Sequence, residues 1–207
     1  MTRRPFPPLT VADALTGVFE PAPDLEAWAR ATFIDEHALL ANPDHFHLNQ
    51  ANIGFLWTNE PNSRGGRTIL GQCEIMPPMA MGKWQKARAL AQLVQWFDDY
   101  PDFLITIDAG AAMSMDDASF MALVEHELYH AAQAKDQWGQ PKFNKQTGRP
   151  VFAIRGHDVE EFVGVVARYG ADATGVRDLV SAANKGPSIA AAKIANACGN
   201  CLRLVKS

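Results

Sequence analysis

The chain has 207 residues, of which 47% are hydrophobic and 20% are charged, so it can bury a core and is too apolar for a disordered protein. Its length suits a single compact domain with a small appendage. The formal net charge is −4 and the sequence pI is about 5.8. This balance gives no electrostatic drive towards nucleic-acid phosphates, so any such contact would need a local basic patch.

The N-terminal residues and the cysteines indicate a compartment. The two arginines near the N-terminus precede prolines rather than an apolar segment, and no run of 18 apolar residues occurs, so we expect neither a signal peptide nor a membrane span. Three cysteines are too few, and an odd number, for a disulfide framework. We therefore expect the protein in the cytoplasm.

The first half of the chain predicts one helix and two strands. Five prolines make residues 1–23 a poor helix former. Apolar periodicity predicts a helix from Asp24, as N-cap, to about Leu40. Strand-like patterns at 52–58 and 67–75 flank a Gly-Gly turn, and a hairpin is their simplest arrangement.

The second half predicts helices around one buried strand. A helix at 84–97 is followed by a strand at 102–108, and a long helix begins at Ser114 or Asp116 and continues to Ala131. Residues 137–156 are polar and predict a long loop with a short β excursion. Another helix begins at Asp158, and weaker ones are expected at 174–184 and 188–197. The apolar stripe predicted for the Asp158 helix consists of Val159, Phe162, Val163, Val166 and Tyr169.

The motif with the clearest chemistry is His126-Glu127-Leu128-Tyr129-His130, which has the pattern HExxH and lies on the long predicted helix. Histidines at positions i and i+4 project from the same helical face, so two imidazoles can bind one Zn²⁺. Glu127 can then act as the general base towards a metal-activated water. The motif therefore predicts a catalytic metal site.

A catalytic zinc of this kind needs a third protein ligand and an open position. The candidates follow the loop, at His157, Glu160 and Glu161. Either His157 is the ligand and Glu161 supports it, or one of the two glutamates is the ligand. Gly164 would allow this helix to approach the motif helix closely.

These segments resemble a known family. HELYH followed by GHDVEEF is similar to the putative phage metallopeptidase family, a zincin-like group, over roughly residues 45–170. A more distant similarity joins the chain to SprT-like (Spartan-type) proteases. The resemblance implies His126, His130 and His157 as ligands and Glu127 as general base. Asp158 departs from the SprT-like pattern, which prefers glycine there.

Other residues carry weaker signals. Arg155 precedes His157 and is a candidate for binding a substrate carbonyl or carboxylate. Cys198 and Cys201 have the spacing of a redox pair or half a zinc site, and a reduced pair near a helix end is the simpler interpretation. Tyr129 and Tyr169 are expected in the core. Four cations make the loop after the motif basic, and they are Lys135, Lys142, Lys145 and Arg149.

Together, motif and resemblance predict an α+β, zincin-like domain: a small mixed sheet packed on the HExxH helix, with extra helices at both ends. We expect an irregular arm at 1–23, the metallopeptidase domain at 24–170, and a helical extension packed on it at 171–207. The predicted function is hydrolysis of peptide bonds in a protein or peptide substrate, with one Zn²⁺. The alternative is a non-catalytic zinc-containing phage factor that binds a host protein or DNA. The sequence does not indicate an oligomeric state.

Overall fold

The computed structural model describes residues 3–64, 66–79, 81–159, 163–173 and 175–194. Within these residues the protein is a mixed α and β structure built on a four-stranded sheet. The sheet strands are β1 (Phe19–Pro21), β2 (Ile53–Thr58), β5 (Gly71–Ile75) and β6 (Phe103–Asp108). Four further short strands form two hairpins, β3 (Ser63–Arg64) with β4 (Arg67–Thr68) and β7 (Ala131–Gln133) with β8 (Phe152–Ile154).

Helices precede, separate and follow these strands. The α-helices are α1 (Leu9–Ala12), α2 (Pro23–Ala29), α3 (Lys83–Phe97), α4 (Ala109–Ser114), α5 (Asp117–His130), α6 (Val163–Ala173) and α7 (Arg177–Lys185). A π-helix (Arg30–Ile34) continues α2, and a 3-10 helix (Pro43–Gln50) precedes β2. None of the helices in the described part of the chain has the length and apolar character that a membrane crossing requires.

The order of the sheet differs from the hairpin expected between 52–58 and 67–75. The observed order is β1-β2-β6-β5, so β6 lies between β2 and β5. β6 runs parallel to β2, with Ile53 opposite Phe103, and antiparallel to β5, with Gly71 opposite Ile107. The most apolar strand thus takes a central position, where both its faces are covered. β5 forms an edge of the sheet.

Alternation along β2 and β6 divides the core into two layers. One face, which includes Phe55, Trp57 and Ile105, packs against α2 and α5. The opposite face, with Leu56 and Leu104, packs against α3. α3 agrees with the helix expected at 84–97, and β6 agrees with the strand expected at 102–108.

α5 begins and packs as its sequence predicts. Its N-cap is Asp116, whose Oδ1 accepts a hydrogen bond of 2.8 Å from the backbone N–H of Ser119. Its central aromatic residue, Phe120, stacks between Trp28, at a ring-centroid distance of 5.5 Å, and Trp57, at 6.1 Å. The buried apolar side of the helix consists of Phe120, Leu123, Val124 and Leu128. This contact fixes the helix against the sheet.

The helix expected from Asp24 to Leu40 is shorter and starts earlier. Its N-cap is Ala22, and Pro23 occupies the first helical position, where a missing N–H costs nothing. α2 passes directly into the π-helix, which ends before Asp35. Local periodicity predicted the apolar face correctly but did not reveal where the helical hydrogen bonds stop.

The helix expected from Asp158 differs most from the structure. The described part of this helix begins at Val163, and two residues of the expected apolar stripe are not buried: Val163 is 85% exposed and Tyr169 is 65% exposed. Helical geometry breaks at Gly170, where φ is 85°. A Cβ added to Gly164 would have no described atom within 4 Å, so this glycine does not mark a close approach between α6 and another helix. Amphipathic spacing here does not correspond to a core contact.

Both ends of the described chain contact the body of the protein. Arg4 in the N-terminal segment is buried; its guanidinium bonds to Asp117 Oδ1 at 2.7 Å and to the carbonyl oxygens of Ala112 and Met115. At the other end, the Lys193 N–H donates to Ser119 Oγ at 2.9 Å. Residues 188–194, where a helix was expected, are not helical. The N-terminal segment, expected to be irregular, contains α1 and β1.

Candidate metal centre

Three histidines from two separate segments meet at one point. His126 and His130 lie at the C-terminal end of α5, and His157 lies in the exposed segment after β8. The Nε2 atoms of His126 and His130 are 3.3 Å apart, and those of His126 and His157 are 3.2 Å apart. Within the described residues this is the group of His, Cys, Asp and Glu side chains that could hold a metal ion.

The spacing of these nitrogens fits a small tetrahedral cation. Because a Zn–N bond is about 2.0–2.1 Å long, two nitrogens on a tetrahedral zinc lie about 3.3–3.4 Å apart. The two measured separations, 3.3 and 3.2 Å, are close to that value. The three imidazoles therefore present a ligand set suited to a small tetrahedral metal ion.

The backbone next to His157 fixes the orientation of His130. The Nδ1–H of His130 donates to the carbonyl oxygen of Arg155 at 2.6 Å, and the Arg155 N–H donates to the His130 carbonyl at 3.0 Å. The first bond places the proton on Nδ1 and leaves Nε2 as the free lone pair, as a metal ligand requires. Arg155 thus joins the end of α5 to the segment that carries His157.

Two of the three imidazoles, those of His126 and His130, have lowered pKa values. The pKa of His126 is lowered to about 4, first by burial and then by the nearby His130 and His157. The pKa of His130 is also lowered, with burial as the main cause. Neutral imidazole is the form that binds metal, so no proton must leave His126 near neutral pH.

Glu127 lies inside the protein, directly beside the edge strand. Its side chain is fully buried, and its Oε1 lies 3.0 Å from the position that a Cβ on Gly71 would occupy. Leu123 lies 3.1 Å from the same position. Gly71, the first residue of β5, therefore provides the space that Glu127 fills. The sequence held a signal for this role, because a glycine within a strand often marks a close approach.

The Cys73 thiol, also on β5, is influenced by the charge of the Glu127 carboxylate. The pKa of the Cys73 thiol is raised well above its usual value, mainly by burial and then by the negative charges of Glu127 and Glu74. The thiol therefore stays protonated and is not a reactive thiolate.

The 3-10 helix supports the outer side of α5, which the sequence did not predict. The Asn42 side chain donates to Glu125 Oε1 at 3.0 Å and to the Tyr129 hydroxyl at 2.8 Å. That hydroxyl in turn donates to Asp44 Oδ2 at 3.2 Å, and the ring packs edge-on against the buried His45. Tyr129, which was expected in the core, is half-buried. Its hydrogen bonds attach α5 to the 3-10 helix at a point between the two histidines of the motif.

The remaining predicted residues are placed as follows. Arg155 pairs with Asp158 and its guanidinium carbon lies 5.8 Å from the centroid of the Tyr129 ring, on the same side of the protein as the histidines. Glu160 and Glu161, the alternative ligands, lie outside the described residues, and so do Cys198 and Cys201.

A comparison with known protein families identifies this chain. It belongs to the family described as "Putative phage metallopeptidase", whose model matches residues 26–184. No curated protein and no solved structure shows significant similarity to it. A metallopeptidase family implies a metal-dependent protease, and the three histidines provide a place for the metal ion.

Proposed function

We propose that the protein is a zinc-dependent metallopeptidase in which His126, His130 and His157 hold one Zn²⁺. The observation that carries this proposal is the meeting of three imidazoles, two of them from the helix turn that also carries the buried Glu127. Three histidine ligands with a fourth position taken by water or substrate are typical of a catalytic zinc rather than of a closed structural site.

Bound Zn²⁺ supplies a Lewis acid that polarises the scissile carbonyl and lowers the pKa of a water molecule. Glu127 then acts as the general base: its carboxylate accepts the proton of the attacking water and delivers it to the leaving amine. Burial of Glu127 against Gly71 restricts the carboxylate to one position. The bond from His130 Nδ1 to Arg155 keeps that imidazole oriented while protons move.

Arg155 and its neighbours complete the proposed site. The Arg155 guanidinium, paired with Asp158 near the exposed His157, is placed to donate to a substrate carbonyl or carboxylate. Glu160 and Glu161 remain candidates for supporting His157 or for replacing it as the third ligand. The protein acts in the cytoplasm on a protein or peptide.

Hydrolysis of an unstructured protein substrate tests the general-base role. Purified protein with one equivalent of zinc is incubated with fluorescein-labelled casein, beside Glu127→Gln and Glu125→Gln. We expect Glu127→Gln to retain zinc and to lose activity by about 10²–10⁴-fold. Glu125→Gln is the matched control, because the amide can still accept the bond from Asn42 and the residue lies on the other side of α5.

Two results would contradict the proposal. Glu127→Gln cleaving casein as fast as the wild type would exclude Glu127 as the base. Wild-type protein that holds zinc but cleaves no substrate would favour the alternative function, a non-catalytic phage factor that binds a host protein or DNA.

A further inference from the structure

Residues 134–151 form a projection that we call the arm. It leaves the protein after β7, which directly follows His130, and returns through β8 towards His157. The arm, together with β7 and β8, therefore joins His130 to His157. Anything bound along it is held next to the metal centre.

The arm has a defined backbone, although its composition predicted a loop. Its first turn is closed by Asp136, whose Oδ1 accepts from the N–H groups of Trp138 and Gln140, both at 2.9 Å. Its second turn is closed by Asn144, whose Oδ1 accepts from the Gln146 N–H at 2.8 Å. Such side-chain-to-backbone bonds stabilise tight turns. The arm is thus two short hairpins placed one after the other.

The base of the arm is attached to the sheet. The Arg149 guanidinium donates to Asp102 Oδ2 and to the Gln50 carbonyl, both at 2.9 Å. A cleft of about 360 Å³ opens beside this attachment, between arm residues such as Asn144 and the end of β5 at Ile75. An extended segment lying in this cleft would contact the arm and the sheet together.

The arm is positively charged, in contrast to the rest of the protein. Residues 134–151 contain four lysines and arginines and one carboxylate, a formal charge of +3, so the remainder of the chain, whose total is −4, carries −7. Lys135, Lys142 and Lys145 are exposed. None of these three lies within ion-pair distance of a carboxylate among the residues that the structure describes.

Two aromatic side chains stand among these lysines. Trp138 is 75% exposed and Phe143 is 50% exposed. Exposed aromatic residues of this size contribute little to folding and are typical of binding surfaces. The arm therefore combines positive charge with apolar contact area.

We propose that the arm is a binding site for acidic, extended polypeptide segments, which it presents to the metal centre. This inference rests on the proposed peptidase function and names its substrate class. Charge complementarity selects an acidic partner. A short acidic segment fits better than a nucleic acid, because a long polyanion would extend past three lysines onto a body with a charge of −7.

The position of the arm also predicts where the acidic segment lies in a substrate. Each strand residue spans about 3.3 Å, so the arm begins about 10 Å beyond the end of α5. The acidic residues that it binds should therefore be separated from the cleaved bond by several residues of extended chain. By binding the arm, these acidic residues would hold the substrate at the protein and so raise the rate of its cleavage.

Binding without cleavage tests the proposal. The Glu127→Gln protein, full-length and loaded with zinc, is titrated into a fluorescein-labelled, aspartate-rich peptide that contains one phenylalanine, and fluorescence anisotropy is recorded at low salt. The arm variant carries Lys135→Gln, Lys142→Gln and Lys145→Gln. The control variant removes three exposed or half-exposed cations of α3 instead, with Lys83→Gln, Lys86→Gln and Arg88→Gln.

We expect the arm variant to bind the peptide on the order of tenfold more weakly, because three exposed charge contacts are lost, and the control variant to bind like the parent. Trp138→Ala should weaken binding further without changing the charge. Equal affinities in both triple variants would overturn the proposal. So would tighter binding of a thymidine oligonucleotide with the same net charge as the peptide, which would make the arm a nucleic-acid surface.

The same experiment separates this proposal from the proposed function. Because the binding measurement needs no hydrolysis, arm-dependent binding together with a zinc-loaded wild type that cleaves no substrate would refute the peptidase and leave the arm as a peptide-binding site. Cleavage of casein at equal rates by wild type and the arm variant, with no arm-dependent binding, would refute the arm alone.

Discussion

The proposed ligands come from two regions that are built in different ways. His126, Glu127 and His130 belong to α5, which packs across the sheet and holds Glu127 and His130 inside the protein. His157 lies in an exposed segment before α6, in which Val163 and Tyr169 are exposed. Two ligands are therefore preorganised by the core, whereas the third is held by local bonds.

Those local bonds are specific. The segment before His157 is joined to α5 through the pair of hydrogen bonds between Arg155 and His130. A metal ion would add a further link between the two regions. The difference indicates that changes in the core should act on folding, whereas changes around His157 should act on metal binding.

The largest expected effect on stability comes from a substitution in the core. Phe120→Ala removes the ring that stacks between Trp28 and Trp57, so we expect the free energy of unfolding to fall by about 3–5 kcal/mol. Urea denaturation measures it. Val163→Ala, in the exposed α6, is the control and should change stability by less than about 0.5 kcal/mol. A large effect of Val163→Ala would show that α6 is packed after all.

A smaller effect is expected where the core meets the site. Gly71→Ala places a Cβ 3.0 Å from Glu127 Oε1 and 3.1 Å from Leu123 Cδ1. We expect a loss of about 1–3 kcal/mol from overpacking, and a fall in peptidase activity larger than the loss of stability explains. Gly164→Ala, where a Cβ meets no described atom within 4 Å, is the matched control for both readouts. Unchanged activity in Gly71→Ala would mean that the position of Glu127 is not critical.

The smallest effect concerns the outer support of α5. Asn42→Ala removes the hydrogen bonds to Glu125 and Tyr129, which should cost about 1–2 kcal/mol. Thermal denaturation of the metal-free protein measures this loss. The exposed Asn184→Ala on α7 is a matched amide control. If both variants melt alike, the 3-10 helix does not hold α5 in place.

Local patterns predicted the elements that the core dictates. The Asp116 cap, the apolar side of α5 and the strand β6 follow from residue spacing, because each is a contact within a few residues of sequence. The HExxH motif placed His126 and His130 on one helical face, since helix geometry alone determines that relation.

Features that depend on contacts between distant residues were not predicted from the sequence. The insertion of β6 between β2 and β5 is a choice among strand partners that periodicity does not encode. The stripe of α6 had the correct spacing for burial, yet Val163 and Tyr169 are exposed in the structure. Asn42 donates a hydrogen bond to Tyr129, and Gly71 provides the space that Glu127 fills. The residues of each pair are more than 50 positions apart in the sequence.

Metal analysis after dialysis tests the central claim most directly, that three histidines form one metal site. The proteins to compare are wild type, His126→Ala, His157→Ala and Glu161→Ala. We predict about one zinc per chain in the wild type and in Glu161→Ala, and loss of zinc in both histidine variants. A wild type without metal would contradict the account. So would a Glu161→Ala protein that loses zinc while His157→Ala keeps it, because the third ligand would then be a carboxylate.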